Sequence, residues 1–168
     1  MSNAILLRMA SGVPGAVSRP GAPATIEPNV ILTTNPPTVY GNPVAVDATT
    51  GHVRPIGAGD TTATVYGFLV RPFPAQSSGN VLGAATPPTS GACDVAKLGY
   101  MTVKVTNGTP SKNSAVYIRT VANVALPNTS VGDIEAASDT TNSFVLAGAY
   151  FTGAADANGN TEIAFNLI

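Results

Sequence analysis

Short runs of Val, Tyr, Thr, Ile and Phe, separated by turn-forming residues, begin near residue 39 and continue to the end of the chain. Val44 and Val46 alternate with other residues before the turn "ATTG", and the chain returns through Val53 to Ile56. Alternation on both sides of a short turn is typical of a β-hairpin. This segment therefore predicts two antiparallel strands joined at "ATTG".

The next apolar run, "TATVYGFLVRPF", carries hydrophobic residues at both odd and even positions. On an ideal strand one face would carry Tyr66, Phe68 and Val70, and the other Val65, Gly67 and Leu69. Apolar residues on both faces are typical of a strand that is covered on both sides. We therefore predict a central strand here.

Four later runs have strand length and composition: "KLGYMTVKV", "SAVYIRTVA", "SFVLAGAYF" and "TEIAFNLI". No window of eleven residues has an apolar stripe at the helical period of 3.6. The best candidate for a helix is the short segment "GDIEAAS". The pattern predicts an all-β chain, either a compact β-sandwich or jelly-roll-like domain or, alternatively, a β-barrel-like fold.

The segments that flank the first strands have a different composition. Residues 1–30 contain four prolines, each of which favours extended backbone, so we predict an extended N-terminal arm. An irregular lead-in with one edge strand is the alternative. Residues 31–168 are expected to form a single β domain. Within it, residues 72–93 are rich in Gly, Pro and Ser and form a long excursion that could be a second contact surface.

The domain contains a weak internal repeat. Residues 34–73 and 106–151 both run from Thr-Asn through a Val-rich strand to Asp-Thr-Thr, at Asp60 and Asp139, and then to an aromatic strand that ends in Phe. Two related β modules would produce this order. The shared composition of β turns would also produce it, and both interpretations stay open.

Composition limits the classes of partner. Charged residues make up 10% of the 168 residues, against about 25% in an average soluble domain. A surface that is polar mainly through Thr, Asn and Ser costs little to desolvate, which favours a subunit of an assembly. The net charge is −1 with no basic block, which argues against direct nucleic-acid or membrane binding. The N-terminal apolar run, Ala4 to Leu7, is too short for a signal-peptide core, so a cytosolic origin is expected.

The residues that could carry catalysis are few. His52 is the one histidine and lies in a turn, where Asp47 is better explained as a turn partner than as a catalytic acid. Cys93 is the one cysteine, and the neighbouring Asp94 raises the pKa of its thiol, so a small buried hydrophobic role is expected. We therefore predict no enzyme, no catalytic residue and no cofactor.

Two acidic clusters could suggest a metal. Asp133, Glu135 and Asp139 are hard oxygen ligands, but the spacing of a calcium loop is missing and a turn or cap role explains Asp139. In the tail "FTGAADANGNTEIAFNLI", the glycine that follows Asn158 is the fourth residue from Asp156, whereas a calcium loop requires it at the sixth. Asn158-Gly159 instead predicts a closing hairpin with a two-residue turn. No metal site is predicted.

The order of motifs resembles a known family: "GVPGAVSRP", "ATIEPN", "NPPTVYGNPVAV", "GHVRPIGAGD", "VYGFLVRPFP", "VYIRTVA", "SDTTNS" and "AYFTGAADANGNTEIAFNL". They resemble the structural cement, or head decoration, proteins of tailed bacteriophages over nearly the whole chain. The resemblance implies a β-rich decoration fold on the exterior of a virion capsid, made in the host cytoplasm. It also implies a major capsid protein of the HK97-type fold as partner, self-association as a dimer or trimer, and no catalytic residues.

On this hypothesis the protein binds the outer surface of a phage head and stabilises contacts between major capsid protein subunits. Arginine is enriched at protein interfaces, so the candidate capsid contacts are Arg8, Arg19, Arg54 and Arg71. The alternative function is a virion-surface module that recognises a host glycan or receptor.

Overall fold

The computed structural model of the chain describes residues 12–19, 21–72 and 85–168. Within these ranges the chain forms nine strands and one 3-10 turn, Thr62–Thr64. The strands are β1 (Thr25–Val30), β2 (Pro43–Val46), β3 (Val53–Pro55), β4 (Val65–Leu69), β5 (Ala92–Asn107), β6 (Ala115–Arg119), β7 (Ile134–Glu135), β8 (Ser143–Phe151) and β9 (Asn160–Asn166). The all-β prediction is confirmed.

The second half of the 16-residue strand β5 belongs to a closed circuit of strand pairings. It pairs antiparallel with β9, from Leu98 with Asn166 to Lys104 with Asn160, and in parallel with β7. β7 pairs with β6, β6 with β8, and β8 with β9, which completes the circuit. We call these five strands the C-terminal ring. Its apolar side chains form most of the larger core, including Met101, Val103, Ile118, Ile134, Phe151 and Ile163, and this core also takes in Val65 and Phe68 of β4.

The first half of β5 closes a second circuit, the N-terminal ring. It lies between β1 and β4, and β4 continues through β2 to β3. A parallel bridge between Ile31, directly after β1, and Val53 in β3 closes this ring. A smaller core of Tyr40, Val44, Val53, Leu69 and Val95 lies here. Because both circuits close through β5, the architecture is barrel-like, the second of the forms expected from the sequence.

The hairpin predicted at Val44 to Ile56 is confirmed as β2 and β3. Strand β4 is central as predicted, but its predicted faces are wrong at one end. Val44 pairs with Gly67 and Ala45 with Val65, so Tyr66 is an extra residue, a β-bulge. A bulge shifts the alternation of side chains by one position. Val65 therefore packs in the larger core with Phe68, while Tyr66 packs against the smaller one.

The predicted short helix at "GDIEAAS" is wrong. Residues 134–135 form β7, which pairs with both β5 and β6, and Ile134 is fully buried. Helix propensity is a weak preference that tertiary pairing readily overrides, and here the two ladders and the burial of Ile134 outweigh it.

The described part of the predicted arm lies against the chain's own sheet. The Gly15 amide donates to the Thr102 carbonyl, Val17 bridges Met101, and β1 pairs antiparallel with the first half of β5. The division into an extended arm of residues 1–30 and a domain of residues 31–168 stays a prediction. Residues 1–11 lie outside the described ranges, and so do residues 73–84 of the predicted 72–93 excursion.

The two predicted halves fall in different rings. Residues 34–73 contribute β2 to β4 to the N-terminal ring, and residues 106–151 contribute β6 to β8 to the C-terminal ring. Duplication of one module stays a prediction.

The closing hairpin of β8 and β9 is confirmed, although its turn has three residues rather than two. The Gly159 amide donates to the Asp156 carbonyl, and the Asp156 amide donates to the Asn160 carbonyl. Gly159 has a φ of +81°, as expected for a type I turn followed by a glycine bulge. The Asp156 carboxylate accepts the backbone amides of Asn158 and Asn160, so it supports the turn.

Candidate functional site

Arg19 is the predicted contact residue that the structure places most openly on the surface. The amide of Ser18 donates to the Tyr100 carbonyl, which fixes this segment beside β5. The Arg19 guanidinium then lies 4.1 Å from the centroid of the Tyr100 ring and forms an ion pair with Glu162, with Nη2 2.5 Å from Oε1. Half of the Arg19 side chain, 50%, remains exposed.

Glu162 is the residue that holds Arg19 in place. Its carboxylate also accepts hydrogen bonds from Ser18 Oγ at 2.6 Å and Thr152 Oγ1 at 2.9 Å. Burial opposes ionisation of Glu162, but the donors from Arg19, Ser18 and Thr152 together outweigh it and lower its pKa. The pKa of Arg19 is raised, chiefly by its hydrogen bonds to Glu162. The pair is therefore charged at neutral pH and holds the guanidinium in one orientation.

Two adjoining surface cavities, each about 270 Å³, open beside this pair and share Tyr100 and Tyr150 in their walls. One is mainly apolar, and the other is bordered by cations. We call the combined feature the tyrosine groove and define it by Arg19, Pro23, Leu98, Tyr100, Lys112 and Tyr150. It crosses the outer surface of the C-terminal ring where β5, β8 and β9 lie side by side.

Arg54 is engaged with its own chain. Its guanidinium forms two hydrogen bonds to Asp60, Nη1 to Oδ2 at 2.7 Å and Nη2 to Oδ1 at 2.9 Å, and Nη1 also donates to the Pro55 carbonyl. Asp60 accepts the Gly57 amide as well. The Arg54 hydrogen bonds are the largest cause of the lowered pKa of Asp60. Arg54 therefore fixes the loop after β3.

The other two predicted contact residues are Arg71 and Arg8. The Arg71 amide donates to the Gly15 carbonyl, which joins the end of β4 to the N-terminal segment. Arg8 lies outside the described residues. Arg19 and Arg54 belong to separate ion pairs in different rings, so the described arginines do not form one cluster. Capsid contact through these four residues stays a prediction.

A fifth arginine, which the sequence did not single out, lies in the interior. Arg119 is fully buried, donates from Nε to Glu135 Oε1 at 2.5 Å, and donates from Nη1 to Asp139 Oδ2 at 2.7 Å. Asp139 also accepts from Asn123 and Asn142. The signal in the sequence was an arginine at the end of the apolar strand "AVYIR", with acids 16 and 20 residues later.

This network contains two of the three acids, Asp133, Glu135 and Asp139, that cluster in the sequence as possible metal ligands. Glu135 and Asp139 pair with Arg119, and Asp133 Oδ2 accepts the Ser130 amide. In the described parts of the chain, no group of three or more His, Cys, Asp or Glu side chains is arranged to hold a metal ion.

Asp47 and Cys93, two of the few residues that could carry catalysis, have contacts that the structure shows. Asp47 Oδ2 accepts from the Thr49 amide and from the amide and hydroxyl of Thr50, so its predicted turn role is confirmed. Cys93 is half-buried against the smaller core. Burial is the larger cause that raises the pKa of its thiol, and Asp94 is the smaller one. The raised pKa keeps the Cys93 thiol protonated at neutral pH, which disfavours the reactive thiolate.

Comparison with solved structures identifies the fold. A chain in the structure of the capsid of Myoviridae phage XM1 matches with a TM-score of 0.68, over 100% of this chain and 99% of that chain, at 22% sequence identity. None of the curated proteins matches. Among the described residues, no helix is long and apolar enough to cross a membrane.

A family model provides evidence at the level of sequence, since it matches residues 1–165. The class of protein is thereby defined: it is a structural protein associated with the capsid of a tailed bacteriophage. The chain belongs to the family of the XM1 gp53 minor capsid protein. This confirms that the chain is related to capsid-associated proteins of tailed bacteriophages and that it is located in the capsid of a virion.

Proposed function

We propose that this protein is a cement protein of the phage head. It binds the outer surface of the shell, bridges neighbouring subunits of an HK97-type major capsid protein and assembles as a dimer or trimer. The observation that carries the proposal is membership of a minor capsid protein family across almost the whole chain. The fold suits this role, because two rings that share one continuous strand give a stiff body.

Such a body can join subunits through several contacts. Binding sites that are individually weak gain about 100-fold or more in overall affinity when they engage together. The tyrosine groove offers one contact on the C-terminal ring, and Arg19 is one of its borders. Residues 1–11 and the excursion at 72–93 are proposed as further contacts, with Arg8 and Arg71 at or near them.

The test uses heads assembled without this protein. Purified protein is added back, bound protein is measured by co-sedimentation, and cryo-EM of the product locates it. We expect density on the outer surface at junctions between major subunits, together with a higher disruption temperature of the head. Density on the inner surface, or no binding, would contradict the proposal.

The contribution of the arm needs a deletion that spares the sheet. Removing residues 1–25 would delete the hydrogen bond from Gly15 to Thr102 and the Val17 bridge, so a loss of binding could reflect a damaged fold. Removing residues 1–11 leaves these contacts in place. We expect this shorter deletion to preserve the melting temperature and to weaken decoration of heads.

A glycan-binding function is the second candidate, and one observation favours it. Tyr100 and Tyr150 line the same surface cavity as the polar side chains of Asn113 and Thr152. Exposed aromatic faces beside polar groups are suited to stacking on sugars. Binding of the purified protein to a glycan array, absent in Tyr150→Ala, would support this function.

A further inference from the structure

The apolar part of the tyrosine groove is a surface cavity of about 270 Å³ whose wall includes Gly99 and Gly148. A Cβ atom at Gly148 would point at the Asn166 carbonyl, and one at Gly99 would meet Ala24. These glycines therefore let segments of the chain itself pack closely, and the open space of the groove lies between the surrounding side chains. The apolar part of the groove is bordered by Pro23, Leu98 and Phe165.

The border of the other part carries positive charge. Lys112 is exposed and makes no salt bridge within the ranges that the structure describes. Glu162 lies next to Arg19 and offsets its charge, which leaves that of Lys112 uncompensated. Tyr150, 43% exposed, lies in the wall that the two parts share.

We infer that the groove binds an extended segment of a neighbouring shell protein that carries a carboxylate beside an apolar or aromatic side chain. The carboxylate pairs with Lys112, while the apolar side chain packs between Tyr150 and Leu98. A neutral sugar would use the tyrosine faces but leave Lys112 uncompensated, so charge complementarity favours a protein segment. This inference rests on the proposed function and names the partner chemistry at one of its contacts.

The two parts of the groove should act on different rates of binding. Apolar contacts made by Tyr150 set the rate of release, because a packed aromatic at the centre of an interface excludes water. The charge of Lys112 acts chiefly on the rate of association and on its salt dependence. Separate substitutions can therefore test each half.

The test measures binding of full-length variants to heads that lack this protein. Lys112→Glu is compared with Lys104→Glu, which makes the same change of charge at an exposed position of β5 outside the groove. Tyr150→Ala is compared with Val145→Ala, a 49% exposed residue of the same strand. We expect Lys112→Glu and Tyr150→Ala each to weaken binding roughly tenfold or more, and both controls to stay within about twofold.

Salt adds a second readout. Binding of the unmodified protein should weaken as NaCl rises from about 50 to about 500 mM, and Lys112→Glu should show a flatter dependence. Melting temperatures confirm that each variant is folded. If the unmodified protein fails to bind heads, the proposed function fails. If it binds and both groove variants bind equally well, or if Tyr150→Ala affects only glycan binding, the inference is overturned while the head-binding function stands.

Discussion

Arg119 and Glu135 form an ion pair at 2.5 Å in which both side chains are fully buried, between β6 and β7 of the C-terminal ring. Asp139 provides a second carboxylate to the same guanidinium. Arg119 Nη2 and Glu135 Oε2 have no hydrogen-bond partner among the described residues. A buried pair of this kind holds a short strand in register at a large cost in desolvation.

Removing one partner of the pair should be far more damaging than removing both. We expect Arg119→Met to lower the free energy of unfolding by roughly 3 to 5 kcal/mol, because Glu135 is left buried without a counter-charge. The double variant Arg119→Met/Glu135→Leu should recover most of that loss. Urea unfolding followed by circular dichroism measures both. A loss in Arg119→Met below about 1 kcal/mol, the usual value for an exposed pair, would contradict this prediction.

The elements that could be predicted from the sequence are the hairpins, because their turn residues and alternating apolar residues lie close together in the chain. The β2 and β3 hairpin was predicted because Val44 and Val46 alternate before a turn, from which the chain returns through Val53. Asp47 supports this turn by accepting the Thr50 amide. The last hairpin was found for the same reason. Its turn length was missed, since the choice between two and three residues depends on how Gly159 bulges against β5.

Features that depend on contacts far apart in the chain could not be predicted. β7 is a strand only because two other strands flank it, and the Arg119 partners lie 16 and 20 residues away. Likewise, Tyr100 and Tyr150 meet in the groove because both pair with Ala164 of β9, and Arg19 joins them because the Ser18 amide bonds the Tyr100 carbonyl. Arginine is enriched at interfaces in general, but this preference does not tell which arginine forms an ion pair within its own chain.

The pair of Arg54 and Asp60 should make part of the stability sensitive to acid. The pKa of Asp60 is held below its ordinary value of 3.8, chiefly by hydrogen bonds from Arg54. A carboxyl group with a lowered pKa in the folded state stabilises the protein above its unfolded pKa, and this contribution disappears as the pH falls through the folded value. We therefore expect the free energy of unfolding to fall as the pH drops below 3.8.

Asp60→Asn should reduce this acid sensitivity, as measured by urea unfolding between neutral pH and acid. Arg54→Met serves as the coupling control, because in that background Asp60→Asn should make a much smaller difference to the pH dependence. An unchanged pH dependence in Asp60→Asn would exclude the pair as its source.

Close approach of two strands at Gly148 should make this position intolerant of any side chain. Gly148 has a φ of +79°, and a Cβ atom placed there would overlap the carbonyl oxygen of Asn166. Gly51 provides the matched control, with a φ of +72° and no atom within 4 Å of such a Cβ. Both alanine variants incur the strain of the left-handed region, whereas only Gly148→Ala also incurs the steric clash.

We expect Gly148→Ala to lower the free energy of unfolding by about 1 to 3 kcal/mol more than Gly51→Ala does, which is the usual cost of overpacking. Urea unfolding of the two variants under the same conditions gives the difference. Equal losses would mean that β8 and β9 can separate locally without cost.

Cys93 should react slowly with alkylating reagents. The pKa of its thiol is raised above the ordinary value of 9.0, first by burial and second by the carboxylate of Asp94, and only the thiolate attacks the reagent. We expect iodoacetamide near neutral pH to modify the folded protein more slowly than the same protein unfolded in urea. Asp94→Asn should accelerate the reaction only modestly, because burial is the larger cause and is unchanged. A reaction of the folded protein as fast as that of the unfolded chain would show that the half-buried thiol is open to solvent, and a large acceleration in Asp94→Asn would show that charge outweighs burial.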